Sequence, residues 1–302
     1  MPSAVLKPHD VIGFLGGANM VGVQESGHLE AQILASFHTY GLRFRNLAWE
    51  GDTVFSQPRD FNFPPTTNLL RRFEVSFLLL GFGQTECLQS TQHLSGFIDA
   101  YDRLIQQYQK QMPRIALLTP TPFESSSVGS PDLTRRAALL SSYVQGIRDL
   151  AARRGCLLID VHDALMEPRR DFGGTVRRLT DNGMHLNAHG QAVMARCVAR
   201  NLGAGLSGKF SLSDDLVDGV WRGPMEQLRR SIVEKNRLWF DYWRPMNWAF
   251  LNGDRTEQPS SRDHMDPTQR WFPAEMEKFV PLLYRAETDI NRLAASLPPS
   301  LH

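Results

Sequence analysis

Residues 11–19 read VIGFLGGAN, a short apolar run that stops at two glycines. Further short apolar runs follow along the chain, and stretches with helical spacing separate them. Fully apolar strands that alternate with amphipathic helices are typical of a parallel sheet covered on both faces. The sequence therefore predicts an α/β fold, a three-layer doubly wound parallel sheet. The pattern predicts strands at residues 11–15, 42–47, 75–80, 115–118 and 157–161.

The last third of the chain differs from the first two thirds. A stretch rich in Gly and Ser at residues 203–213 is predicted to be a linker. Helices are predicted on both sides of it, and four of the six tryptophans lie after residue 224. We therefore expect an α/β domain at residues 1–203 and a helical extension at 204–302 that packs on or covers the sheet. The helices are predicted at residues 25–37, 94–111, 133–153, 188–202, 224–243 and 271–297.

Composition excludes several classes of function. The chain has 302 residues, 33 basic and 32 acidic side chains, and a net charge of +1. We expect neither nucleic acid nor a membrane as partner. The three cysteines, Cys87, Cys156 and Cys197, are far apart, which argues against a disulfide scaffold and a structural zinc site. No nucleotide, flavin or haem motif is present, so no cofactor is expected. Residues 1–10 have no apolar segment of a signal peptide, which favours a cytoplasmic location.

Polar residues follow each predicted strand. In an open parallel sheet, ligands bind where the strands end at their carboxyl side. A substrate site built from these residues is therefore predicted, and a small molecule or a carbohydrate is the expected partner. The predicted substrate-binding residues are Gly17, Ala18, Asn19, Gly51, Gln84, Thr85, Asp181 and Asn182.

Four of these polar segments resemble the sequence blocks of the SGNH (GDSL-type) hydrolases, in the same order, across residues 11–202. Residues 14–19 (FLGGAN) look like the block that normally reads Gly-Asp-Ser. Residues 45–53 (RNLAWEGDT) are similar to the block whose glycine amide helps form the oxyanion hole. Residues 83–86 (GQTE) and 182–187 (NGMHLN) look like the blocks that normally read Gly-x-Asn-Asp or Gly-x-Asn-Glu and Asp-Gly-x-His.

The resemblance implies an SGNH, flavodoxin-like sheet and a hydrolase scaffold. More narrowly, the chain resembles SGNH-like domains found beside c-type haem modules in large bacterial proteins, a subgroup from which no settled activity carries over. The family's nucleophilic serine is replaced by Ala18, its asparagine by Thr85 and its triad aspartate by Asn182, whereas Gly51 and His185 match the pattern. Because alanine cannot form an acyl-enzyme, an ordinary serine esterase is not expected.

Carboxylate side chains offer a second mechanism of hydrolysis, which needs no serine nucleophile. Asp52, Glu86 and Glu124 follow different strands, and with His185 they are the predicted catalytic residues, expected to converge on one crevice. Two carboxylates that flank a bond can hydrolyse a glycoside without any serine. The main prediction is a divergent hydrolase that acts on a carbohydrate or a carbohydrate ester. Whether the same side chains hold a divalent cation is left open.

Other interpretations are also left open. Asp52 and Glu124 could instead stabilise the loops in which they stand. The domain could be a catalytically silent module that binds a ligand in the crevice. A serine esterase with a relocated nucleophile, either Ser26 or Thr53, is a further alternative. The oligomeric state is not predicted.

Overall fold

Five parallel strands form the central sheet, in the order β2-β1-β3-β4-β5. The structure is a computed structural model that describes residues 5–88, 93–112, 114–125, 132–167, 178–203, 216–217 and 219–298. The α/β fold class predicted from the sequence is confirmed. The strands are β1 (Val11–Gly16), β2 (Arg43–Asn46), β3 (Phe77–Gly81), β4 (Ile115–Leu118) and β5 (Leu157–Ile159).

Helices cover both faces of this sheet. On β3, Leu79 faces one apolar core whereas its neighbours Leu78 and Leu80 face the other, as expected for a strand buried on both sides. One core is closed by α1, α2, α6 and α7, and the other by α3, α4 and α5. These helices are α1 (Ala18–Ser26), α2 (His28–Ser36), α3 (Thr66–Arg72), α4 (Leu94–Gln109), α5 (Ala137–Arg154), α6 (Val161–Met166) and α7 (Ala188–Leu202).

The single helix predicted at residues 25–37 is wrong, because the segment forms the end of α1 and all of α2. Gly27 separates the two helices with a φ of 70°. A β-carbon at Gly27 would lie 3.0 Å from the carbonyl oxygen of Arg229 and from Cγ2 of Val233. The break between α1 and α2 therefore allows close approach by a helix that lies about 200 residues later in the chain.

The C-terminal region is helical, as predicted, and packs on the α/β part. It begins with a short hairpin, β6 (Leu216–Val217) and β7 (Val220–Trp221), and most of the predicted linker at 203–213 lies outside the described residues. Pro281 stands in the first turn of α11, where a missing amide proton does no harm. The helices are α8 (Pro224–Trp243), α9 (Trp248–Leu251), α10 (Trp271–Glu277) and α11 (Phe279–Ala295).

Two buried contacts tie α8 to the α/β part. Lys235 Nζ lies 2.6 Å from Glu30 Oε2, and both side chains are buried. The indole nitrogen of Trp239 donates a hydrogen bond of 2.7 Å to the carbonyl oxygen of Asn46, at the end of β2. Both apolar cores also include side chains from α8 and α11. Among the described residues, no helix combines the length and apolar character needed to cross a lipid bilayer.

Candidate functional site

A cleft lies at the carboxyl ends of the strands, as expected for an open parallel sheet. Its volume is about 40 Å³. Because a cavity that admits benzene has about 150 Å³, this cleft suits a group of a few atoms. Its lining includes seven of the predicted site residues: Gly17, Ala18, Asn19, Asp52, Gln84, Thr85 and Glu86.

The turn between β1 and α1 forms one wall of the cleft. Gly16 has a φ of 151°, and a β-carbon there would lie 2.3 Å from the carbonyl oxygen of Gly81, so only glycine fits. Helix α1 then begins at Ala18 with no side chain capping its amides. Within the described part of the chain, the amides of Ala18 and Gly51 and the hydroxyl of Thr85 make no hydrogen bond. Two of these donors, on Ala18 and Thr85, belong to residues that line the cleft and remain available to an oxygen atom there.

Asn19 connects this turn to the other strand ends. Its Nδ2 lies 2.9 Å from Gln84 Oε1, 2.9 Å from Thr121 Oγ1 and 3.1 Å from the carbonyl oxygen of Met184. Its Oδ1 accepts a 2.8 Å hydrogen bond from the amide of Leu186. Asn19 therefore fixes the loop before α7 against the start of α1.

Gln84 supports the same arrangement from the end of β3. Its Nε2 donates to Thr121 Oγ1 at 2.6 Å and to the carbonyl oxygen of Met184 at 3.1 Å. Thr121 is a cleft residue that was not predicted, although its position just past β4 could have suggested it. Three methionines, Met20, Met184 and Met194, also line the cleft, and their sequence context gave no signal for this role.

Glu86 lines the cleft, yet its carboxylate is occupied by the backbone. It accepts hydrogen bonds from the amide of Val54 at 2.9 Å and from the amide of Gly83 at 2.8 Å. The side chain thereby joins the loop after β2 to the loop after β3. Burial raises the pKa of Glu86, and the two amides only partly offset this rise.

Asp52 lines the cleft as half of a buried ion pair. Its two carboxylate oxygens lie 2.6 and 2.7 Å from the Arg59 guanidinium. Burial raises the pKa of Asp52, although Arg59 favours the charged form. The guanidinium of Arg59 in turn lies 4.4 Å from the ring centroid of Trp49, and Arg244 of the C-terminal region lies 3.5 Å from the same ring centroid. Sequence analysis missed Arg59, because nothing in its local pattern marks it as a partner of Asp52.

Glu124 is not among the residues that line the cleft. Its carboxylate accepts hydrogen bonds from the amides of Leu179 and Thr180 and from Thr180 Oγ1, the last at 2.5 Å. Its own amide donates to the carbonyl oxygen of Gly183. Glu124 therefore holds the loop that leads into α7.

Asp181, Asn182 and His185 lie on the outer side of that loop and are exposed. Asn182 Nδ2 lies 3.2 Å from His185 Nδ1, and the amide of Asp181 donates to the carbonyl oxygen of His185. None of the three lines the cleft, and neither does Gly51. Of the four predicted catalytic residues, the structure thus brings Asp52 and Glu86 to the cleft and leaves Glu124 and His185 outside its lining.

The alternative nucleophiles and a metal site gain no geometric support. Ser26 Oγ donates to the carbonyl oxygen of Val23, and Thr53 Oγ1 accepts from the amide of Ser56. Neither residue lines the cleft. In the part of the chain that the structure describes, no three His, Cys, Asp or Glu side chains are grouped as metal ligands.

Comparison with known proteins identifies relatives of this architecture. Residues 7–193 match the model of the GDSL-like Lipase/Acylhydrolase family. LAE5, an alpha/beta hydrolase enzyme from the metagenome of Lake Arreo, Spain, superposes with a TM-score of 0.53 at 18% identity, over 67% of this chain and 98% of that one. BT4096, a gut microbial diltiazem-metabolizing enzyme, superposes with a TM-score of 0.65 at 12% identity, over 96% of both chains. These likenesses show the fold, and no curated protein matches the chain.

Proposed function

Because the chain belongs to the GDSL-like lipase/acylhydrolase family, we propose that its cleft binds an acyl or carboxylate group and forms no covalent acyl intermediate. Ala18 carries this proposal. It stands at the first position of α1 and lines the cleft, where the family resemblance places the nucleophilic serine. A methyl group can neither attack a carbonyl carbon nor carry an acyl group.

Binding is supported by the donors that surround Ala18. Its own amide and the hydroxyl of Thr85, which also lines the cleft, have no partner within the described residues. In the family pattern, the glycine amide of the second block, here at Gly51, helps hold the oxygen of the substrate carbonyl, whereas Gly51 lies outside the cleft lining in this structure. An α-helix N-terminus also favours negative charge. The cleft volume of about 40 Å³ suits an acetyl group, such as one carried by a carbohydrate ester.

The environment of His185 supports the absence of base catalysis. A triad carboxylate accepts the Nδ1 proton and leaves Nε2 free to take a proton from serine. Here the Asn182 amide takes the place of that carboxylate, at 3.2 Å from Nδ1. An amide nitrogen donates a hydrogen bond, so it favours the tautomer whose proton is on Nε2. In that state His185 is a hydrogen-bond donor at Nε2 and cannot act as a base there.

A second candidate function is hydrolysis by carboxylates, the main prediction from the sequence. It is favoured by one observation: Asp52 and Glu86 both line the cleft, and burial raises the pKa of each. A carboxyl group with a raised pKa is suited to donate a proton to a leaving group. Against this candidate, Asp52 is paired with Arg59 and Glu86 with two backbone amides.

The test combines turnover and binding. Purified protein is assayed with chromogenic acetyl and butyryl esters and with aryl glycosides, beside the variants His185→Ala and Glu86→Gln. We expect no turnover above the buffer rate. We also expect acetate to shift the NMR signals of the methyl groups of Met20, Met184 and Met194, which line the cleft.

Three results would contradict the proposal. Covalent labelling by a fluorophosphonate would reveal a nucleophile such as Ser26 or Thr53. Glycoside turnover that disappears in Glu86→Gln would favour the carboxylate mechanism. Cleft methionine signals that stay unmoved at high acetate concentration would show that the cleft does not bind the group.

A further inference from the structure

A second cavity lies between residues 63–73 and the C-terminal helices. We call it the aromatic cavity, after Phe63, Phe73, Trp243 and Trp248 in its walls. No residue lines both this cavity and the cleft. Its volume is about 250 Å³, compared with the roughly 150 Å³ of a cavity that admits benzene. The aromatic cavity therefore has room for a ring system.

Ring-to-ring contacts hold the walls of this cavity in place. The centroid of Phe63 lies 4.5 Å from that of Trp248 and 6.3 Å from that of Trp243. The indole nitrogen of Trp248 donates a 3.0 Å hydrogen bond to the carbonyl oxygen of Phe61, which fixes the orientation of that ring. Preformed walls of aromatic side chains favour the entry of a flat, apolar ring, because little ordering is needed on binding.

Two nitrogen atoms on side chains that line this cavity lack partners. Trp243 is 4% exposed, and its Nε1 is buried without a hydrogen bond to any described residue. The same is true of Nε of Arg270, whose Nη2 is held by the carbonyl oxygens of Phe250 and Leu251. Two buried N–H groups without acceptors favour a ligand that supplies an acceptor oxygen.

The charged side chains in the cavity lining favour a ligand whose acceptor group is anionic. Arg270 forms no ion pair with any described carboxylate. Arg72, also in the cavity wall, is exposed and only 3.9 Å from the exposed Glu277. The lining therefore carries two guanidinium groups and one carboxylate. Guanidinium groups bind carboxylates through charge-assisted hydrogen bonds.

From this combination, we propose that the aromatic cavity is a binding site for a small aromatic carboxylate, separate from the cleft. The ring would lie among Phe63, Trp243 and Trp248. After small side-chain shifts that open the two buried nitrogen atoms to the cavity, the carboxylate would accept hydrogen bonds from Trp243 Nε1 and Arg270 Nε. This site goes beyond the proposed acyl-binding function and does not depend on it.

The experiment is a titration of the full chain with 2-naphthoate, followed by NMR of ¹³C-labelled methionine methyl groups. Met276 lines the aromatic cavity, Met20, Met184 and Met194 line the cleft, and Met246 is fully exposed. We expect Met276 to shift in a saturable way while the cleft and surface methionines stay in place. We expect the neutral analogue 2-naphthalenemethanol to bind at least about tenfold more weakly, since it cannot pair with Arg270.

Trp243→Phe and Trp271→Phe form a matched pair of variants. The first keeps a ring and removes the unpartnered N–H, and we expect naphthoate affinity to fall about tenfold. The second makes the same change at a partly exposed tryptophan outside the cavity lining, and should leave affinity unchanged. The proposal is overturned if Met276 does not shift in the wild type, if naphthoate shifts the cleft methionines instead, or if the neutral analogue binds as tightly. Equal affinities of the two variants would also overturn it.

Discussion

Asn182 Nδ2 lies 3.2 Å from His185 Nδ1, so an amide faces the imidazole where the resemblance to the family blocks predicts a carboxylate. The amide orientation is fixed, because Asn182 Oδ1 accepts hydrogen bonds from the backbone amides of Met184 and His185. Only the NH₂ group can then face the imidazole. The amide therefore favours the tautomer of His185 that carries its proton on Nε2, and a histidine in that state cannot accept a proton there.

Restoring both changed groups should create an esterase. We expect Ala18→Ser/Asn182→Asp to hydrolyse 4-nitrophenyl acetate and to react with a fluorophosphonate, because serine supplies the nucleophile and aspartate the correct histidine tautomer. His185 lies outside the cleft lining, so this activity also requires the loop of His185 to move towards residue 18. Ala18→Ser alone should be slower by about a hundredfold or more, since the tautomer remains wrong. The measurement is the initial rate at pH 7.5 for both variants. Equal rates would show that His185 is not the base.

Removing the Arg59 guanidinium, which lies beside Asp52, should destabilise the folded protein. The Asp52 side chain is 2% exposed, and in Arg59→Gln it loses the guanidinium that binds both of its carboxylate oxygens. We expect the free energy of unfolding to fall by about 3 kcal/mol, the usual loss when one half of a buried ion pair is removed. Urea denaturation at pH 7 measures this change in the free energy of unfolding.

The exposed pair Arg43–Glu74 offers a control for this prediction. We expect Arg43→Gln to change stability by less than about 1 kcal/mol. The double variant Asp52→Asn/Arg59→Gln should recover part of the stability, since no uncompensated charge is then buried. If Arg59→Gln and Arg43→Gln cost the same, Asp52 has another counter-charge in solution.

Glu124→Gln should loosen the loop that leads into α7. A glutamine offers one acceptor oxygen, whereas the Glu124 carboxylate holds the amides of Leu179 and Thr180 and the hydroxyl of Thr180. We expect a loss of about 2 kcal/mol and faster hydrogen exchange at those two amides. The control is Glu257→Gln, at a side chain that is 82% exposed. Unchanged protection of the Leu179 and Thr180 amides would rule out this role of Glu124.

Acidification should destabilise the protein through His28. Burial lowers the pKa of His28 from its ordinary value of 6.5 to about 4, and its Nε2 lies 2.7 Å from the carbonyl oxygen of Gly219. Below pH 6.5, His28 becomes protonated in the unfolded chain, whereas it stays neutral in the folded state down to about pH 4. The stability due to neutral His28 is therefore complete above pH 6.5 and is lost as the pH falls towards 4, by about 3 kcal/mol.

This pH dependence can be assigned to one residue. Unfolding is followed between pH 4 and 7 for His28→Gln and for His264→Gln, whose side chain is 78% exposed. We expect the slope of stability against pH to flatten in the first variant and to match the wild type in the second. A slope that survives in His28→Gln would assign the effect to other groups.

The sheet could be predicted because its strands are short, fully apolar runs whose order along the chain leaves few topologies. The end of α1 and the start of α2 could not be separated, since Gly27 owes its conformation to contact with α8. Strand order placed seven of the twelve predicted site residues in the cleft lining, but the hydrogen-bond partners of the predicted carboxylates were not predicted. Glu124 and Thr180 are 56 residues apart, and nothing in either segment shows that the carboxylate would bind backbone amides. Residue type and strand order locate side chains at an edge, whereas their hydrogen bonds depend on loop paths that the sequence does not display.

The hydrogen bond between Trp239 and the carbonyl oxygen of Asn46 spans 193 residues of chain, which has a consequence for biosynthesis. At roughly 5–20 residues per second, a ribosome adds Trp239 about 10–40 s after Asn46. For most of that interval the nascent chain lacks both Lys235 and Trp239, so Glu30 is without its cation and one face of α2 is uncovered. Translation must pass residue 243 before this part of the molecule can close, and until then the emerging chain offers an apolar surface to chaperones.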